Sequence, residues 1–91
     1  MFHVFTSTYL QPLDVVDQTR PAHLEWVTAE VEAGRIILAG RVESGQGAVL
    51  ITSDMTAEEA DALIATDPYI PAGAARYDRV SFNGAFRAPG L

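Results

Sequence analysis

Three short segments of the chain carry mostly apolar residues at successive positions rather than at every second position. They are residues 2–5, 36–39 and 48–51. Successive side chains of a strand point to opposite faces of a sheet, so a sheet with one solvated face would alternate apolar with polar residues. We therefore expect a sheet that is covered on both faces.

The first helix is predicted from its terminal signals. Pro21 fits the first helical turn, where a missing N–H costs nothing, and Gly34 is a typical residue just beyond a helix end. Residues 10–19 contain a proline and two aspartates and are expected to form a loop. The packing stripe of this helix is expected to consist of Leu24, Val27 and Val31, which recur at helical spacing.

The second helix is predicted to begin with a capping box formed by Thr56 and Glu59. It is expected to end at Asp67, because residues before a proline disfavour the helical region. The remaining strand-like segments are 2–9, 35–43, 48–53 and 74–86, with a hairpin turn at 44–47.

The predicted elements follow the order β-α-β-β-α-β in a single domain of 91 residues. The usual compact arrangement of this order is the ferredoxin-like α+β fold, an antiparallel sheet with both helices on one face. Two short helices cover only one face of the sheet. We therefore expect the other face to pack on a second copy of the chain, giving a homodimer through the sheet face.

Composition excludes several classes of function. The net charge is −6 with no lysine, and the six arginines are scattered, which argues against nucleic acid and anionic membrane surfaces as partners. No cysteine is present, and two histidines alone predict no metal site. No apolar run approaches the roughly 20 residues that span a bilayer. The first residues lack signal-peptide features, so a cytoplasmic location is expected.

Topology brings two polar residues to the same end of the predicted sheet. Right-handed crossovers place the start of the first helix and the end of the second helix at that end. His23 lies in the first turn of the first predicted helix, and Asp67 lies just past the second. The 10–19 loop and the 44–47 turn are expected there too, where they could roof a pocket.

Each of these two residues stands at the unfavourable helix end for its charge. An acid at a helix C-terminus or an imidazolium at an N-terminus costs roughly 0.3–1 kcal/mol, and a mutual hydrogen bond would offset both. Such a pair suits general acid–base chemistry. The alternatives are a packing or capping role for His23 and a simple turn signal at Asp67.

Other polar residues near this end are weaker candidates. Arg20 could hold an anionic group or face water, and Tyr9 and Tyr69 could line a pocket or simply pack. Ser7 lies near the same end of the first strand without a clear general base. Outside this group, we expect a structural role for His3, a surface or interface charge at Arg41 and a second packing surface around Trp26.

Together these motifs resemble the YCII-related (YciI-like) family. The resemblance rests on "RPAHLEWVTAEVEAGRIILAG" (20–40) and "DPYIPAG" (67–73), followed by a closing strand. It implies a dimeric α/β barrel of ferredoxin-like subunits with a histidine–aspartate site, which maps onto His23 and Asp67. Arg20, Gly40 and Tyr69 match other recurring positions of the family. A proline often follows the Ala-Gly pair, and Arg41 stands there instead, so the resemblance does not extend to the pocket around it.

The resemblance also implies a reaction class. One branch of the family is similar to dehydrochlorinases of chlorinated hydroxyhydroquinones, so a cofactor-free lyase or isomerase acting on a small anionic or phenolic ligand is expected. Two alternatives stay open at this point. One is a ligand-binding or accessory dimer without catalysis, and the other is a purely structural interaction module.

Overall fold

The computed structural model describes residues 1–91 and has the predicted order of elements. The sheet has the order β2-β3-β1-β4, and each neighbouring pair is antiparallel. This is the ferredoxin-like α+β arrangement, which confirms the predicted fold class. The elements are β1 (Phe2–Tyr9), α1 (Leu13–Glu32), β2 (Ile36–Arg41), β3 (Ala48–Thr52), α2 (Ala57–Ile64) and β4 (Ala75–Phe82).

Helix α1 begins much earlier than the sequence predicted. It has 20 residues, with Pro12 at the N-cap and Pro21 inside the helix. The predictions of a loop over 10–19 and of a helix start at Pro21 were therefore wrong. An internal proline costs about 3 kcal/mol because it donates no hydrogen bond and crowds the preceding turn. The burial of Val16, which is 0% exposed, and the extra helical hydrogen bonds offset that cost.

The packing face of α1 also differs from the predicted stripe. Leu24 is 46% exposed and Val31 is 45% exposed, while the helix buries Val16 and His23. Val27 alone of the predicted stripe is half-buried. Residues 24, 27 and 31 do lie on one side of α1, but that side is the flank of the helix and not the face that packs on the sheet.

Helix α2 has the predicted capping box. The Thr56 side chain accepts a hydrogen bond from the Glu59 backbone N–H at 3.1 Å, and the Thr56 N–H donates to the Glu59 carboxylate at 3.4 Å. This pairing satisfies two donors that an uncapped helix would leave free. The helix then buries its apolar side against β1, β2 and β3, in a core of Phe5, Ile36, Ala48, Leu50, Ala60, Leu63 and Ile64.

The second face of the sheet carries no helix. Leu38 and Val80 are each 65% exposed on it, and Phe82 is 46% exposed. Contiguous apolar surface of this kind on a small protein is a frequent mark of an interaction site. In contrast, no helix combines the length and apolarity needed to cross a membrane.

Candidate functional site

His23 and Asp67 are joined by a hydrogen bond between the α1 helix and the turn that follows α2. The distance from His23 Nδ1 to Asp67 Oδ1 is 2.8 Å. His23 is 7% exposed and Asp67 is 0% exposed. Two residues 44 positions apart therefore share one buried polar contact.

The place of His23 within its helix differs from the prediction. Because α1 begins at Leu13, His23 lies in the middle of the helix and not in its first turn. The unfavourable effect of a helix N-terminus therefore does not apply to it, since that effect fades within the first turn. What holds the imidazole is its hydrogen bond and its packing.

Asp67 receives three hydrogen bonds. Its Oδ1 accepts from His23 and from the Tyr69 backbone N–H, the latter at 3.0 Å, and its Oδ2 accepts from the Tyr77 hydroxyl. A buried carboxylate needs such partners, because an unpaired buried charge is costly. Both oxygens are thus fixed in direction, and the carboxylate presents Oδ1 to the imidazole.

Tyr77 is a residue of this site that sequence reasoning missed. It lies on β4 opposite Ser7, on the face that carries the helices. Burial, followed by the hydrogen bond to Asp67, raises the pKa of Tyr77 well above its usual value. The alternation along β4 could have placed Tyr77 on the helix face, but only the strand pairing brings it to Asp67.

The imidazole of His23 lies beside two aromatic rings. It stacks on Tyr69 with ring centroids 4.0 Å apart and planes inclined by 10°, and Trp26 lies 5.9 Å away. Trp26 is fixed in turn by its indole N–H, which donates to Thr66 Oγ1 at 2.8 Å. The predicted role of Trp26 as part of a second packing surface fits this position between the helices.

The second ring nitrogen of His23 makes no hydrogen bond within the chain and is not sealed from solvent. An ionised Asp67 accepts only, so the neutral imidazole bonded to it carries its proton on Nδ1. Nε2 then has a free lone pair, on a side chain that lines a pocket. This is the arrangement that a general base requires.

The pocket has a volume of about 140 Å³ and lies between α1 and the sheet. Gly40 and five aliphatic or small side chains form its apolar wall. Its polar lining consists of Tyr9, Arg20, His23, Arg41 and Tyr69.

The predicted site residues divide by their relation to this pocket. Five of them line it: Tyr9, Arg20, His23, Gly40 and Tyr69. Asp67 lies behind the imidazole and makes no part of the lining. Ser7 is also outside, because its buried hydroxyl accepts the Ala48 backbone N–H at 2.8 Å. No residue of the 10–19 or 44–47 segments roofs the pocket.

No carboxylate lines the pocket, although the whole chain carries a net charge of −6. Arg20 lies one helical turn from His23 and forms no salt bridge, whereas the other five arginines each lie within 4.0 Å of a carboxylate. Burial raises the pKa of Tyr69, so its hydroxyl stays neutral at ordinary pH. The pocket lining therefore contains two arginines and no acid, and of these two arginines only Arg20 has no salt-bridge partner.

Arg41, predicted as a surface or interface charge, is a partly exposed residue that also lines the pocket. Its Nε donates to the Tyr9 hydroxyl at 3.1 Å and its terminal nitrogen donates to Asp17 at 2.8 Å. The bond to Asp17, followed by that to Tyr9, raises the pKa of Arg41. The sequence could not indicate this role, since Asp17 was assigned to a loop.

The side chains of the molecule include no group of three or more histidine, cysteine, aspartate or glutamate residues arranged to hold a metal ion. The site is thus a hydrogen-bonded pair, His23 and Asp67, beside an arginine-lined pocket.

Comparison with known structures supports the fold. The chain is similar to 5-chloro-2-hydroxyhydroquinone dehydrochlorinase (TftG) from Burkholderia phenoliruptrix AC1100, solved in complex with 2,5-dihydroxybenzoquinone. The TM-score is 0.74 over 91% of this chain and 94% of that chain. Sequence identity is 19%, so this likeness concerns the fold alone.

Comparison of sequences identifies the family. A "12 kDa protein" of Mycolicibacterium smegmatis is 79% identical over 24 residues, which are 26% of this chain and the whole of that sequence. The model of the YCII-related domain matches residues 1–83, nearly the whole chain. This match confirms the resemblance inferred from the sequence motifs, and the chain belongs to the YCII-related domain family.

Proposed function

We propose that the chain is a small-molecule enzyme of the lyase or isomerase type, which moves a proton on an anionic or phenolic ring without a cofactor. In this proposal His23 is the general acid–base, and Asp67 orients it. The observation that carries the proposal is that His23 lines a pocket together with two arginines, while its Nδ1 is held by a buried carboxylate and its Nε2 has no partner within the protein.

The pocket favours a small ligand with negative charge. Its volume of about 140 Å³ is below the ~300–1,000 Å³ of pockets that hold drug-sized ligands, and fits a single ring. Arg20 has no acid to neutralise it, so it is available to an anionic oxygen. The apolar side chains around it would face the ring itself.

The reaction that fits these groups is elimination from a chlorinated polyhydroxybenzene. A base takes the proton of one hydroxyl, and the resulting oxyanion supplies electrons to the ring. The ring carbon that bears chlorine takes up a proton, and a second ionised hydroxyl then supplies the electrons that expel chloride from that carbon. The ring is oxidised while the carbon–chlorine bond is reduced, so HCl is lost overall without an external oxidant. His23 Nε2 would accept the hydroxyl proton and return a proton to carbon.

The proposal includes a homodimer through the sheet face. The support is the exposed apolar surface around Leu38, Val80 and Phe82, which a second copy would cover. A two-fold interface uses the same patch on both subunits, and this patch lies on the opposite side of the sheet from the pocket.

Turnover with a matched control tests the proposal. Purified protein is incubated with 5-chloro-2-hydroxyhydroquinone and, separately, with a panel of small lactones, and chloride release or ring absorbance is followed. We expect turnover that falls by a factor of about 10²–10⁴ in His23→Gln, in line with the usual contribution of a general acid–base. Arg35→Gln, which changes an exposed residue between α1 and β2 that pairs with Glu30, should leave turnover unchanged.

Two results would contradict the enzymatic proposal. One is turnover that His23→Gln does not reduce while folding is intact. The other is binding of ring anions with no turnover of any compound, which would support a ligand-binding dimer instead.

A further inference from the structure

Three side chains are joined by hydrogen bonds next to the pocket, and two of them, Tyr9 and Arg41, line its sheet side. Asp17 on α1 accepts from Arg41 on β2, and Arg41 Nε donates to the hydroxyl of Tyr9 at the end of β1. The Arg41 guanidinium also lies 5.4 Å from the centroid of the Tyr9 ring. The arginine side chain is 23% exposed, so solvent reaches it only in part.

The hydrogen bond from Arg41 determines whether the Tyr9 hydroxyl oxygen donates or accepts toward the arginine. A phenol has one proton to donate, and its oxygen here accepts from Arg41. The hydroxyl donates to no group within the chain, so its proton remains available on a side chain that lines the pocket. Hydrogen bonds in a chain polarise one another, and a donor into the oxygen strengthens the donation of its own O–H.

The two candidate donors enter the pocket from different walls. Arg20 comes from α1, one turn from His23, whereas Tyr9 comes from the end of β1 and Arg41 from the end of β2, the two parallel strands on either side of β3. A ring held beside His23 would thus meet a cation on the helix side and a hydroxyl donor on the sheet side. A ring that carries an oxygen on only one side would pair with Arg20 or with the Tyr9 hydroxyl, and the other donor would have no acceptor.

We propose that Tyr9 binds a second acceptor oxygen of the substrate and that Arg41 is the positioning residue that directs the Tyr9 hydroxyl toward it. This inference rests on the proposed function and narrows its substrate class. The preferred ligands are single rings that carry oxygens on opposite sides, at least one of them ionised. Rings with one anionic group bind through Arg20 alone and therefore more weakly.

Binding of two probes tests the inference. The first probe is 2,5-dihydroxybenzoquinone, which has ionisable oxygens on opposite sides of the ring, and the second is benzoate, which has one anionic end. Calorimetric titration of the full chain is carried out for Tyr9→Phe, Arg41→Gln, their double variant and Arg20→Gln. Arg35→Gln, whose side chain pairs with Glu30 away from the pocket, is the control.

The expected result is selective. Tyr9→Phe and Arg41→Gln each weaken binding of the dihydroxyquinone roughly ten-fold or more, as expected for a hydrogen bond to a charged group, and leave benzoate little changed. The double variant is no weaker than Tyr9→Phe alone, because Arg41 acts through Tyr9. Arg20→Gln weakens both probes. Circular dichroism and melting temperature of each variant separate loss of binding from loss of folding.

The outcomes distinguish this inference from the proposal on which it rests. If the wild-type chain binds neither probe, the proposed function fails and the inference fails with it. If it binds the quinone and only Arg20→Gln weakens binding, the site stands and the role of Tyr9 and Arg41 is overturned. Additive losses in the double variant would overturn the positioning role of Arg41 alone.

Discussion

Tyr77→Phe is the most informative single change outside the pocket, because it removes one hydroxyl and keeps the ring that packs on Phe5. In this variant Asp67 Oδ2 loses the donor that the structure provides for it, in a residue with 0% exposure. Hydrogen bonds to charged groups contribute about 1.5–3 kcal/mol, so the free energy of unfolding should fall by about that amount. For a domain of this size the melting temperature would fall by roughly 6–24 °C.

The assay is urea unfolding at one fixed protein concentration, since the stability of the proposed dimer would depend on concentration. Tyr9→Phe is the matched control. It removes a hydroxyl at the half-exposed pocket, where water can replace the lost bond to Arg41, and should cost less than about 1 kcal/mol.

The same comparison has a defined pH dependence. Tyr77 has its pKa raised in the folded state by burial and by Asp67, whereas an unfolded tyrosine ionises near pH 10. The neutral phenol therefore contributes stability below about pH 10, and this contribution is lost as the pH rises further. The difference between wild type and Tyr77→Phe should shrink between about pH 9 and pH 11. A difference below about 0.5 kcal/mol at pH 8, or one that stays constant up to pH 11, would refute the bond to Asp67.

Three further changes test other parts of the structure. Arg20→Gln should weaken binding of ring anions about ten-fold. The free energy of unfolding should change little because Arg20 forms no salt bridge, and equal affinity in calorimetry would contradict the prediction. Thr56→Ala should lower the free energy of unfolding by about 1 kcal/mol through loss of the capping box, measured in urea, and an unchanged midpoint would argue against the cap. Leu38→Glu should shift the sedimentation mass from dimer to monomer, because a charge on the exposed sheet face cannot be buried against a second copy. A wild-type chain that sediments as a monomer would contradict the dimer directly.

Local signals in the sequence were sufficient for the order of elements and for several boundaries. The capping box at Thr56 and the left-handed Gly34, with φ of 75°, lie where their residue types predict them. These features depend on hydrogen bonds between close neighbours in the chain. For that reason they were predictable without knowledge of the rest of the fold.

Helix α1 shows where local signals fail. The rule that proline begins a helix placed the start at Pro21, but Val16 is buried by Tyr69, Ala74 and Ala75, which lie more than fifty residues away. The apolar pattern of α1 was compatible with two faces. The buried face of α1 is the one that carries His23, which is bonded to Asp67. A hydrophobic pattern alone would not predict that face.

The pair of His23 and Asp67 was nevertheless expected from topology, since both helices meet the sheet in fixed directions whatever their lengths. Tyr77 and Arg41 could not be found in this way. The contact of Tyr77 with Asp67 depends on the register between β1 and β4. The contact of Arg41 with Asp17 depends on α1 beginning early enough to include Asp17.

The central claim is that Asp67 holds the Nδ1 proton of His23 while Nε2 faces the ligand. Nitrogen-15 NMR of imidazole-labelled protein measures this directly, because protonated and unprotonated ring nitrogens of a neutral histidine resonate far apart. We predict that the neutral form of His23 carries its proton on Nδ1, and that the Nε2 signal changes when 2,5-dihydroxybenzoquinone is added. We also predict that Asp67→Asn disturbs this assignment. A proton on Nε2 of neutral His23 in the wild-type protein, or an Nε2 signal that saturating ligand leaves unchanged, would contradict the claim.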